Sequence, residues 1–221
     1  MRYYLNLLNM QVSLESQMLS SLPDQLNAEV VFGSVTNIKD AVNWFSYTYL
    51  YVRMLKNPKY YSIPSDETED DRELLRRRVN LAHTAFSMLE RNGLISYERK
   101  TGAVTSTFLG KISSFYYIKH ASMAIYNTNL KSNCGLIELL RVFAMSIEFK
   151  YLVVREEEKN ELKKLVETVP VPIKGAIEEV TTKISALLQA HISRLQLEGL
   201  AINVDKVYIT QSASRIMRAL F

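Results

Sequence analysis

Apolar residues recur with a helical period through most of the chain, and one short stretch alternates instead. Ala41, Trp44, Phe45, Thr48, Tyr51, Val52 and Leu55 share one stripe of a 3.6-residue repeat. That stripe predicts a single helix over 41–55 with Trp44 in the core. Asn37, with Asp40 three positions later, supplies a capping-box-like start for it. The acidic run 66–71 precedes a basic helix over 74–91, so acids stand at the helix end where the backbone dipole is positive. Gly93 follows where a left-handed cap belongs. Residues 94–98 and 103–108 are β-like runs about the turn Arg99-Lys100-Thr101-Gly102, which predicts a hairpin. Helices followed by one hairpin is the winged-helix order.

Beyond Gly110 the pattern is helical throughout, with helices expected near 111–118, 135–149, 156–166, 182–197 and 205–221. Pro170-Val171-Pro172 forces an extended break, and Gly199 is placed at the end of the 182–197 helix. The fold class expected is mainly α, a winged helix with one β-hairpin followed by a helical bundle. The boundary is set at 1–112 for the winged helix and 113–221 for the bundle. The last helix stops in mid-pattern at Phe221, which predicts that it is incomplete there.

Composition narrows the function. Seven glycines and five prolines among 221 residues favour helices over a sandwich or barrel. A net charge of +4 permits nucleic-acid contact without demanding it. The single cysteine, Cys134, excludes an internal disulfide framework. No apolar run approaches the ~20 residues of a membrane span, and residues 1–6 lack a secretory signal's pattern.

Catalytic chemistry is not legible. The nearest approach to a phosphate-binding loop, Leu109-Gly110-Lys111-Ile112-Ser113, has Ile112 where the hydroxyl belongs and Thr105 in place of the first glycine. His83, His120 and His191 are far apart and form no metal-ligand pair, so no catalytic, cofactor or metal residue is assigned. Glu156-Glu157-Glu158 ahead of Lys159, Lys163 and Lys164 reads as a solvated helix face. The final helix is more suggestive. Gln211, Ser212, Ser214, Arg215 and Arg218 occupy adjoining polar positions, backed by Ile209, Ala213, Ile216, Met217 and Leu220. From Lys206 onward there are three basic residues and no acid. Arginines, hydroxyls and amides in that array suit sequence-independent contact with a nucleic-acid backbone; the alternative is a helix whose arginines pair with acids on its neighbours.

Several stretches carry a resemblance. These are Leu22-Pro23-Asp24-Gln25-Leu26-Asn27-Ala28-Glu29-Val30-Val31, Lys39-Asp40-Ala41-Val42-Asn43-Trp44 and Tyr49-Leu50-Tyr51-Val52-Arg53-Met54. Further on come Val154-Arg155-Glu156-Glu157-Glu158-Lys159, Val169-Pro170-Val171-Pro172-Ile173, Leu187-Leu188-Gln189-Ala190 and Val207-Tyr208-Ile209-Thr210-Gln211-Ser212-Ala213-Ser214-Arg215. In unbroken order they resemble the large spliceosomal DExH-box RNA helicases, over the winged helix and the start of the helical module of the N-terminal cassette. The resemblance implies two RecA-like motor domains elsewhere in the parent, holding ATP and Mg, and none in this fragment. It implies a nuclear protein of pre-mRNA splicing whose partners are single-stranded RNA, those motor domains and other spliceosomal proteins. The fragment is then a non-enzymatic accessory that braces the motor, its wing at Arg99 and Lys100 serving mainly as a strut. The segment 207–221 matches the family's ratchet helix across the RNA channel, which makes Gln211, Ser212, Arg215 and Arg218 the RNA-contact candidates. Ser214 departs from the glycine of many relatives, where the backbone would approach closely. A stand-alone winged-helix adaptor for DNA or a protein partner is the other reading.

Overall fold

The computed structural model describes residues 4–5, 8–9, 14–64 and 70–221. The chain divides into two compact units, Met1–Gly110 and Lys111–Phe221. The architecture is mainly α, with one two-stranded antiparallel sheet among the described residues.

In the first unit α1 spans Leu22–Phe32, starting on Pro23 and closing on Gly33 at φ 81. Leu22, Leu26 and Val30 recur every fourth residue and are its buried face. The expected single helix over 41–55 is instead two, α2 (Ile38–Ser46) and α3 (Tyr49–Lys56). Thr48 makes the break: its Oγ1 accepts from Tyr51 N at 3.3 Å and donates to Phe45 O at 2.7 Å. The rotation between the two helices breaks the stripe. Phe45 stays buried, but Trp44 is only half-buried, edge-on to Phe45, and Val52 and Leu55 are exposed. The core takes Leu50 and Met54 in their place.

Asn37 caps α2 as its sequence suggests, with Oδ1 accepting from Asp40 N at 3.0 Å, while the Asp40 carboxylate accepts from Thr36 N. Helix α4 (Leu75–Arg91) buries Ala82, Ala85, Phe86 and Leu89. Most of the acidic run expected before it, residues 66–69 of 66–71, lies outside the described residues. Asp71 does serve this end, accepting from Arg76 N at 2.7 Å, and backbone hydrogen bonds from Leu75 first and then Arg76 hold its carboxyl below the usual range. After Gly93, at φ 73, β1 (Ile95–Glu98) pairs with β2 (Ala103–Ser106), Tyr97 opposite Val104 and both inward. At the wing Arg99 meets Glu90 at 3.7 Å, both solvent-accessible.

One half-buried carboxylate ties the start of this unit to α3. Glu15 accepts from Arg53 Nε at 3.1 Å and Nη2 at 2.8 Å, from Asn57 Nδ2 at 2.8 Å and from Tyr61 Oη at 3.0 Å. The Arg53 hydrogen bonds first, then the Asn57 amide, hold the Glu15 carboxyl down at about 2. A carboxyl lowered in the folded state stabilises above its ordinary pKa, and that stabilisation is lost as pH falls through the lowered value. Melting temperature is therefore expected to fall as pH drops from about 4.5 toward about 2. Glu15→Gln should start lower and flatten the curve in that window; an unchanged acid limb would refute the assignment.

The boundary between units falls within α5 (Phe108–Phe115). The second unit continues with α6 (His120–Asn129), α7 (Leu136–Ala144), α8 (Lys159–Thr168), α9 (Val180–Ile192) and α10 (Leu200–Leu220). Helix α6 lies where the sequence pattern predicts none, and the expected 135–149 helix ends at Ala144, with a separate 3-10 turn at Ile147–Phe149. Gly199 does not end a helix: at φ −68 and ψ 130 it is the N-cap of α10. Glu161 of α8 completes that cap, accepting from Glu198 N at 2.7 Å and Gly199 N at 3.1 Å. Gln189 fixes the proline-rich break, accepting from Val171 N at 2.9 Å and donating to Val171 O at 3.1 Å.

Candidate nucleic-acid interface

Helix α10 is 21 residues long, which makes it about 31 Å from end to end. Ile202, Asp205, Ile209, Ala213 and Ile216 form its buried line, at spacings of three and four. Asp205 is anomalous there, since a lone buried carboxylate is costly. It is not alone. Lys183 of α9, fully buried, donates to Asp205 Oδ2 at 2.6 Å, to Val153 O at 2.7 Å and to Glu158. Arg155 donates to the same Asp205 oxygen at 2.8 Å and to Glu158 Oε2 at 3.2 Å, and Asp205 foremost raises the Arg155 pKa. Two buried anions are thus balanced by one buried cation, Lys183, and one at the surface, Arg155. Glu158 is buried in this network, which corrects the expectation of a wholly solvated face at 156–158. Farther along, Tyr208 Oη donates to Glu148 O at 2.8 Å. The Glu148 carboxylate is buried too, accepting from Lys119 N at 2.9 Å and Ser122 Oγ at 2.5 Å. The helix is therefore anchored by directional bonds at two levels.

The four candidate residues separate into two pairs. Gln211 and Arg218, seven positions apart, are exposed together with Ser214 on one face. The Arg218 side chain makes no hydrogen bond or ion pair with the described residues. Ser212 and Arg215 are half-buried on the flank. The Arg215 guanidinium donates to Ser212 Oγ at 3.1 Å, to Tyr116 O at 3.3 Å and to Tyr117 O. It thereby occupies carbonyls left over just beyond α5, a favourable seat for a cation. The alternative of arginine–acid pairing is not what this helix does: Arg215 bonds backbone carbonyls and a hydroxyl. The Arg215 partners Tyr116 and Tyr117 lie in the aromatic run Phe115-Tyr116-Tyr117, the one mark in the sequence that could have drawn attention to them.

Among the described residues no group of three or more His, Cys, Asp or Glu side chains can hold a metal ion, and no helix is long and apolar enough to cross a membrane. The Sec63 Brl domain model matches residues 106–221, more than half of the chain. The chain belongs to the Sec63 Brl domain family. A Winged Helix-turn-helix domain model matches residues 15–91 of this family member. The U5 small nuclear ribonucleoprotein 200 kDa helicase of Homo sapiens is 55% identical to it over 221 residues, and that of Drosophila melanogaster 54%. The pre-mRNA-splicing factor brr2 of Schizosaccharomyces pombe is 52% identical. Each alignment takes 100% of this chain and 10% of the relative, so the chain spans about a tenth of the length of the relatives it matches. The resemblance to the large spliceosomal helicases therefore holds from end to end.

Proposed function

We propose that these 221 residues are a non-catalytic accessory module of an ATP-dependent spliceosomal RNA helicase. The module braces the motor domains and guides one RNA strand along α10 while small nuclear RNA duplexes are unwound in the nucleus. ATP and Mg would bind in motor domains outside these residues, since the sequence has no phosphate-cradling loop. Single-stranded RNA, those motor domains and other spliceosomal proteins are the partners. The observation that carries the reading is the exposed pair Gln211 and Arg218 on a helix whose other side is bonded into the unit. A helix so fixed can hold a guanidinium toward a phosphate with little loss of side-chain freedom elsewhere. Ser212 and Arg215 shape the flank, and the Arg215 protons beyond those given to the carbonyls can still reach a phosphate.

Arg218→Leu in the full-length helicase tests this. Removing a charge-assisted contact should slow duplex unwinding about tenfold, while basal ATP hydrolysis changes much less. Arg215→Leu should reduce unwinding and also melting temperature, because it leaves two carbonyls without their donor. Equal loss of unwinding and ATPase in Arg218→Leu would reject the RNA contact.

A further inference from the structure

The end of α5 and the turn after it carry two aromatic rings in solvent, and the Arg215 guanidinium bonds the backbone of that turn. Phe115 is 75% exposed and Tyr117 83%. Tyr117 has φ 53, in the left-handed region that a bulky residue rarely enters. Ile118 N donates to Ser113 O at 2.9 Å and Tyr117 N to Ser114 O at 3.4 Å, so Tyr117 sits at the helix-closing position that glycine fills most cheaply. Ser113 Oγ adds a bond to Ile118 O at 2.7 Å, and Arg215 bonds the Tyr116 and Tyr117 carbonyls. The backbone is thus over-determined from both sides while the ring it carries packs on little of the unit. A strained turn that projects a flat ring, with a cation at its base, has the form of a stacking platform for a base whose phosphate is nearby.

We infer that Tyr117 stacks on a base of single-stranded RNA whose backbone runs past Arg215 and Arg218; this rests on the RNA-guiding reading above. Arg215 is a positioning residue for it, because its hydrogen bonds hold the turn that aims the ring. Tyr117→Asn accepts the left-handed backbone and removes the ring, whereas Tyr117→Phe retains it. The probes are oligouridylate and a base-free ribose-phosphate strand of equal length, bound to the full-length helicase. Tyr117→Asn should weaken oligouridylate binding about 5- to 150-fold and leave the base-free strand unaffected. Tyr117→Phe should bind both as the parent does. Tyr117→Gly, which suits the same backbone, should repeat the Tyr117→Asn result. Equal weakening on both strands, or none on oligouridylate, overturns the inference. So does a collapse of melting in both Tyr117→Asn and Tyr117→Gly with Tyr117→Phe normal, which would make the ring a packing group. The phosphate contact is read separately by Arg218→Leu: a reduced salt slope there with unchanged Tyr117→Asn binding removes stacking alone, and no change in either removes both readings.

Discussion

Lys183→Met is expected to destabilise the helical unit by about 3–5 kcal/mol, the cost of breaking a buried charge network by removing one partner. The ammonium is fully buried and links Asp205 of α10, Glu158 and the Val153 carbonyl. Methionine keeps an unbranched apolar stem of similar shape but lacks the ammonium, and so removes all three bonds. Arg155 alone then faces two carboxylates that are 5% and 8% exposed at the side chain. Denaturant unfolding followed by far-UV circular dichroism measures the loss. A loss below about 1 kcal/mol would mean that water reaches the network and that α10 is anchored by packing alone.

Gly110→Ala should destabilise the winged-helix unit by about 1–3 kcal/mol or more, through crowding. A Cβ on Gly110 would lie 2.1 Å from Leu94 O and 3.0 Å from Asn27 Oδ1. Leu94 O already accepts from Thr107 N at 3.1 Å, and Asn27 Nδ2 donates to Gly110 O at 3.0 Å, so neither neighbour can withdraw cheaply. The requirement is for space and not for an unusual backbone angle. A melting temperature several degrees lower is the expected result, at about 4–8 °C per kcal/mol for a unit of this size. An unchanged melting curve would show that the turn before α5 shifts without cost.

Elements with local punctuation were legible in the sequence. The helix 75–91 and the hairpin after it announce themselves by period, by Asp71 and by Gly93 and Gly102 at positive φ. What escaped depends on partners far along the chain or on breaks without glycine or proline. Thr48 interrupts an apolar stripe with a hydroxyl that caps equally well inside or outside a helix. Glu158 looked solvated because its nearest lysines are local, whereas its buried partner Lys183 is 25 residues away. The candidate site divides the same way. Exposure of Gln211 and Arg218 follows from helical spacing, but the Arg215 partners are 98 and 99 residues distant, beyond any pattern on the helix itself.

The central claim is that α10 presents Arg218 to an RNA backbone, and the salt dependence of single-stranded RNA binding tests it most directly. A phosphate contact releases counterions, so the slope of log K against log salt for Arg218→Leu in the full-length helicase should be shallower by about 0.7. A slope equal to the parent's, with the variant folded to the same melting temperature, would contradict the account.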